Sequence, residues 1–160
     1  MSRNEFEGQL EELVTKIHQE FLPGGNQVRV YRCERQLRSH AHTELKEFPD
    51  AKTWDLSVDY FGVTKDELGV HKLILINQAN SALGLTELGE LHAYSRAVRP
   101  LFSVQIAETG LSRDLYNLLL RPEVSRRLLH DKTGRIMIYA GVPVALPFSL
   151  DAFFPPLALG

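Results

Sequence analysis

Four consecutive apolar residues, Leu73, Ile74, Leu75 and Ile76, run directly into an amide cluster formed by Asn77, Gln78 and Asn80. A strand sends successive side chains to opposite faces, so a run with no polar alternate must be covered on both sides. This segment therefore predicts a strand inside a sheet with a layer of structure above and below it.

The rest of the chain supplies those layers. Residues 4–21 place Phe6, Leu10, Leu13, Val14, Ile17 and Phe21 at spacings of three and four, with Glu7, Glu11, Lys16 and Glu20 opposite. That is the period of an amphipathic helix, which Pro23, Gly24, Gly25 and Asn26 end. Val28, Val30 and Tyr31 open a strand with Arg29 and Arg32 as charged alternates. Residues 34–52 are polar without a clean period and predict a strand continuation running into a mobile loop. Residues 53–61 predict a second strand, with Leu56, Val58 and Tyr60 on one face and Asp55, Ser57 and Asp59 on the other. Gly62 and the polar segment 64–67 predict its connection to the apolar strand. Thr86 predicts the N-cap of a helix with Leu88, Leu91, His92 and Ser95 facing inward, which Arg99 and Pro100 stop. A strand over 101–107 ends at Thr109 and Gly110, Ser112 caps a helix reaching Leu120, and a short helical turn starts at Pro122. Residues 135–140 predict a last buried strand. Helix, antiparallel strands, a strand–helix–strand crossover, helix and strand make an α/β chain with a mixed central sheet flanked by helices.

At 160 residues the chain is expected to form one domain, 1–160, with its core over about 5–140. That length buries roughly 70% of the unfolded surface. A hydrophobic content of 44% and a charged content of 24% describe an ordinary globular protein. The net charge of -2 exerts no global pull toward nucleic acid, so such a role needs a local basic face. Cys33 is the single cysteine, which leaves no disulfide framework and predicts a buried structural thiol. The N-terminus carries no apolar secretory segment, and no apolar run nears the ~20 residues of a membrane span. These features predict a soluble, cytoplasmic protein with no membrane partner. Residues 141–160 hold Pro143, Pro147, Pro155 and Pro156 among many apolar residues, a tail that packs either on its own core or on a partner chain. There is no glycine-rich phosphate loop and no Gly-x-Ser-x-Gly around Ser95, Ser103 or Ser125, which argues against nucleotide hydrolysis, dinucleotide binding and serine hydrolase chemistry.

Carboxylates on adjacent strand ends can converge on one divalent metal, which polarises a phosphodiester while a nearby lysine helps generate the attacking hydroxide. Asp59 on one strand and the amide cluster ending the next follow that layout without the lysine. Together with the N-terminal helix bearing Glu11 and Glu12, Asp55 beside Asp59, and the helix over 85–96 followed by Pro100 and a strand, the pattern resembles the PD-(D/E)XK superfamily. This is the restriction-endonuclease-like fold shared by Holliday-junction resolvases and many repair and defence nucleases.

The resemblance implies that Asp59 takes the place of the first metal-binding acid. The (D/E)-X-K position then falls on Gln78, Ala79 and Asn80, or one residue earlier. Neither register supplies an acid or a lysine: Gln replaces the acid in some members, but an uncharged Asn80 cannot supply the lysine's charge. Glu87 or Glu90 on the following helix would have to migrate in. The implied site is Asp59, Gln78, a vestigial Asn80, Glu87 and Glu11, with Asp59 and Glu87 as ligands of Mg²⁺ if the site is active, and no cofactor required otherwise. The same residues have plainer readings. Asp55 and Asp59 suit the outward face of an edge strand, the amides suit a turn, and Glu87 and Glu90 suit a helix N-terminus.

Arg29, Arg32, Arg35 and Arg38 recur every three residues, and Arg126 and Arg127 cluster with His130 and Lys132. Arg35, Arg38, Arg126 and Arg127 are the nucleic-acid candidates, weighed against an ordinary solvated surface. His40, His42 and Glu44 alternate, but no further ligand follows at a characteristic spacing, so the segment is not read as a metal site. The expectation is a DNA-associated accessory or structural protein whose nuclease-like site cleaves little or not at all. The other readings are an active Mg²⁺-dependent endonuclease with migrated ligands, and a protein-binding scaffold with no nucleic-acid role. Resemblance to resolvases implies a homodimer, and the apolar tail implies docking on a larger partner.

Overall fold

A computed structural model describes residues 3–21, 26–124, 130–131, 134–140 and 153–154. The chain forms two compact units, Met1–Ile76 and Asn77–Gly160.

In the first unit, helix α1 (Arg3–Phe21) covers one face of three antiparallel strands, β1 (Arg29–Arg32), β2 (Tyr60–Lys65) and the first part of β3 (His71–Ala79). The helical period is realised as expected: Leu10, Leu13, Val14 and Ile17 are buried. Each such side chain contributes about 1.5–3 kcal/mol when removed from water. The Phe6 ring sits 5.5 Å from Tyr60, and the buried His18 donates through Nδ1 to the Asn26 carbonyl at 2.8 Å. Gly62 lies opposite Val30 on one side and Ile74 on the other. A Cβ at Gly62 would stand 2.7 Å from Val28 Cγ1, so only glycine lets the strands close up here. β2 therefore continues through Gly62 instead of turning there. The turn comes at residues 66–70, where Asp66 Oδ1 accepts from the Leu68 and Val70 N–H groups, both at 2.9 Å, and Gly69 adopts φ 80°.

The opposite face of these strands is covered by residues 33–58, and here the expectation of a mobile loop and a long second strand is corrected. The segment is an ordered layer with two 3₁₀ turns, Leu37–His40 and Ala51–Thr53. It buries Leu37, Leu45, Ala51, Trp54 and Val58. Its ends are tied by Leu37 N–H to the Leu56 carbonyl at 2.9 Å and Arg38 N–H to the Trp54 carbonyl at 3.1 Å. Residues 54–58 thus spend their backbone groups on a turn instead of a ladder, and regular pairing of β2 begins only at Tyr60.

β3 runs on into the second unit through Asn77, Gln78 and Ala79. In that unit α2 (Leu85–Val98) packs on β4 (Phe102–Ala107) and β6 (Gly134–Ala140). β4 and β6 are parallel, with Ser103 opposite Ile136 and Ala107 opposite Ala140. Parallel neighbours need a crossover, and α3 (Arg113–Leu119) lies in it. β5 (His130–Asp131) and β7 (Phe153–Phe154) pair antiparallel with β6. The class is therefore α/β, with mixed strand pairing and flanking helices. All of β4 is buried, as a covered parallel strand requires. Within its layer the Ser95 hydroxyl of α2 meets the Ser103 hydroxyl of β4 at 2.8 Å.

Ser112 caps α3 as expected, its hydroxyl accepting from the Leu115 N–H at 3.2 Å. α2 is corrected: its N-cap is Gly84, not Thr86, because Glu87 reaches back to the Gly84 N–H at 3.1 Å. Part of the apolar tail, Phe153–Phe154, adds a strand to β6, while residues 141–152 and 155–160 lie outside the described residues. No helix among the described residues is long and apolar enough to cross a membrane.

Candidate nuclease-like site

The residues proposed from the sequence divide between the two units. Asp59, Glu11, Arg35 and Arg38 belong to the first; Gln78, Asn80 and Glu87 belong to the second. Arg126 and Arg127 lie outside the described residues.

In the first unit Asp59 is exposed, at the bend that precedes β2, and its carbonyl accepts the Cys33 N–H at 3.1 Å. Asp55 does not share a strand face with it, because residues 54–58 form no strand. The Asp55 carboxylate instead lies 3.8 Å from Arg38 Nε in an exposed pair. Glu11 is committed elsewhere. Its carboxylate accepts the Val30 backbone N–H at 2.9 Å, while the Thr15 hydroxyl accepts from the Val28 N–H at 3.1 Å. Val30 lies on the edge strand β1 and Val28 just before it, and α1 satisfies both N–H groups with side chains.

Arg29, Arg32, Arg35 and Arg38 are all exposed. Arg29 and Arg32, three apart on β1, point to opposite faces. Arg35 and Arg38 sit on the ordered layer, Arg35 with the left-handed φ of 67°. Its carbonyl accepts the Ser57 hydroxyl. His40 is buried and uses both ring nitrogens inside the protein, toward Glu44 and the Glu34 N–H. The Cys33 thiol is pushed up by burial and by the nearby Asp59 charge, against a lowering hydrogen bond from the Val58 backbone. A raised value disfavours the nucleophilic thiolate at neutral pH.

In the second unit the amide cluster gains a partner that sequence reading missed. Gln78 Nε2 donates to Glu108 Oε1 at 2.5 Å. Glu108 follows the last residue of β4, thirty positions from Gln78, and the one available signal was its place at the polar end of an apolar strand. Asn80 is exposed just beyond β3. Glu87 closes the capping box of α2, and Glu90 accepts from the Tyr94 hydroxyl at 2.6 Å.

These commitments fit Mg²⁺ poorly. Hard divalent metals need converging oxygen ligands with at least one or two carboxylates. Glu11 and Glu87 satisfy backbone N–H groups, Gln78 is held by Glu108, and Asn80 carries no charge. Among the described residues no group of three or more His, Cys, Asp or Glu side chains is placed to hold a metal ion. Comparison with protein-family models, with curated proteins and with solved structures finds no match to this chain.

Proposed function

We propose that the chain is a DNA-associated accessory or structural protein whose nuclease-like site has lost its cleavage chemistry. The observation that carries this reading is the fate of the candidate ligands. Glu11, Gln78 and Glu87 each serve a hydrogen bond that the fold needs, to the Val30 N–H, to Glu108 and to the Gly84 N–H. With no lysine at the position of Asn80, nothing in that cluster offsets the charge that develops on a phosphate during hydrolysis. Association with DNA is supported by the helix–strand layout that resembles the PD-(D/E)XK superfamily, and by the exposed Arg35 and Arg38 on one ordered layer. Exposed guanidinium groups suit phosphate contacts whatever the base sequence.

The test uses fluorescein-labelled branched, single-stranded and duplex DNA, measured by anisotropy across salt, with cleavage followed under Mg²⁺ and Mn²⁺. The expected outcome is binding that weakens steeply as salt rises, without cleavage. Cleavage abolished by Asp59→Ala would establish the active-endonuclease reading instead. Absence of binding at low salt would leave a scaffold with no nucleic-acid role.

A further inference from the structure

The layer over 33–58 does not cover the whole sheet face on which it rests. Side chains alternate along a strand, so Tyr31 and Arg29 on β1 share a face with Phe61, Val63 and Lys65 on β2. His71, Leu73 and Leu75 on β3 share it too. Contacts identify this as the layer's side: His40 meets Phe61, and Phe48 meets His71 at 6.2 Å between centroids. Phe61, Leu73 and Leu75 are buried there. Toward the edge strand and the β2–β3 turn the cover thins. Tyr31, Val63 and His71 are half-buried, and Arg29 and Lys65 are exposed.

Register brings these side chains together. Arg29 stands opposite Val63, and Lys65 lies two residues further along β2. The two cations are therefore diagonal neighbours, about 7–8 Å apart at the backbone. Lys65 is directly opposite His71. Tyr31, two residues along β1 from Arg29, sets its ring 5.6 Å from that of Phe61. None of these paired rows carries a carboxylate. Just beyond them, the Asp66 carboxylate is turned onto the Leu68 and Val70 N–H groups. Cations placed side by side repel each other, a cost that a bound polyanion removes.

We propose that this corner of the sheet, formed by Tyr31, Arg29, Lys65 and His71 and bordered by the half-buried Phe48, binds a single-stranded polynucleotide. Arg29 and Lys65 meet phosphates, the His71 ring adds an N–H donor, and the Tyr31 and Phe48 rings are platforms on which bases stack. A duplex keeps its bases stacked inside and offers the cations its backbone alone. Only an unpaired strand uses cations and rings together. That the strand is DNA rests on the proposed function. The surface is separate from Arg35 and Arg38, of which Arg38 already lies 3.8 Å from Asp55.

The experiment is fluorescence anisotropy on the full chain, with labelled single-stranded DNA, single-stranded RNA and duplex DNA of one sequence, across salt. The expected result is a single strand bound about fivefold or more tighter than the duplex, from the stacking of even one base. Arg29→Gln combined with Lys65→Gln is expected to flatten the slope of log affinity against log salt by about 1.4, because each phosphate contact on a single strand supplies about 0.7. Tyr31→Leu is expected to weaken binding about fivefold or more with the slope unchanged, and Tyr31→Phe to bind as the wild type does. Urea midpoints confirm that each variant is folded. Should Tyr31→Leu not fold, the Arg29 and Lys65 pair and the strand preference decide. Duplex bound as tightly as single strand overturns this surface and leaves the DNA reading standing, as does binding indifferent to Arg29 and Lys65. Single-stranded RNA bound without DNA keeps the surface and removes the DNA reading. No binding of any strand at low salt overturns both.

Discussion

The Glu11 carboxylate on α1 accepts the backbone N–H of Val30 on the edge strand β1 at 2.9 Å. A residue that the sequence places among nuclease ligands is thus a guard on a sheet edge. Removing it leaves a part-buried N–H without a partner, at a cost of about 1–3 kcal/mol. Glu11→Ala is expected to lose that much in urea denaturation. Glu11→Gln keeps an acceptor oxygen and is expected to lose clearly less. A residue serving only as a metal ligand would show neither loss.

Glu87 makes a parallel case in the second unit, where it closes the capping box on Gly84. Glu87→Ala is expected to destabilise α2 by about 0.3–1.5 kcal/mol, read from thermal melts. Glu87→Gln is expected to be nearly silent, because a glutamine side chain reaches the same N–H. A metal-binding role would make the two substitutions equally damaging to any Mg²⁺-dependent property.

The contrast between these residues and the segments around them shows what a sequence can carry. α1, β3, β4 and the Ser112 cap were legible because each is specified by neighbours: helical spacing of Leu10, Val14 and Ile17, the unbroken Leu73 to Ile76 run, a hydroxyl ahead of a helix. The layer over 33–58 was not, because its order comes from contacts at a distance, such as Phe48 on Trp54 and His40 on Phe61. Those contacts also removed Asp55 from the strand face it had been assigned. Among the candidate residues, the sequence names Asp59, Gln78 and Glu87 but carries no sign of what each side chain engages. The Glu108 partner of Gln78 and the Val30 partner of Glu11 depend on tertiary pairing that no local pattern encodes.

Glu44 links stability to acid pH. Burial pushes its carboxyl up, but hydrogen bonds from the Thr43 hydroxyl, the His40 ring and its own backbone N–H outweigh this and hold it below the ordinary carboxylate value. A depressed carboxyl stabilises the fold fully above its unfolded value, and that contribution disappears as pH falls through the folded one. Wild-type protein is therefore expected to be more stable than Glu44→Gln near neutrality, with the difference shrinking below about pH 4. Urea midpoints measured at steps of pH check this, and a constant difference would contradict it.

Tyr94 gives the opposite sign at the alkaline end. The hydrogen bond to Glu90, aided by partial burial and the carboxylate's charge, pushes its hydroxyl up to about 12. A raised value means a contribution complete below the unfolded tyrosine value of about 10 and lost as pH climbs through the folded one. Ultraviolet titration of tyrosinate is expected to show one tyrosine ionising late. Glu90→Gln should return it toward the others and flatten the alkaline loss of stability.

Gly62 tests the close approach of β1 and β2 directly. A methyl group there would stand 2.7 Å from Val28 Cγ1 and 3.4 Å from Ile74 Cβ. Val28 and Ile74 are fully buried, so neither can swing into solvent. Gly62→Ala is expected to cost about 1–3 kcal/mol through overpacking, despite alanine's lower conformational entropy in the unfolded chain. Val28→Ala removes the clashing Cγ1 but opens a void of its own. The two substitutions together are expected to be less destabilising than the sum of each alone, by about 0.5 kcal/mol or more. A double-mutant cycle in urea reads that coupling. Strict additivity would mean that the strands separate to admit the methyl group without involving Val28.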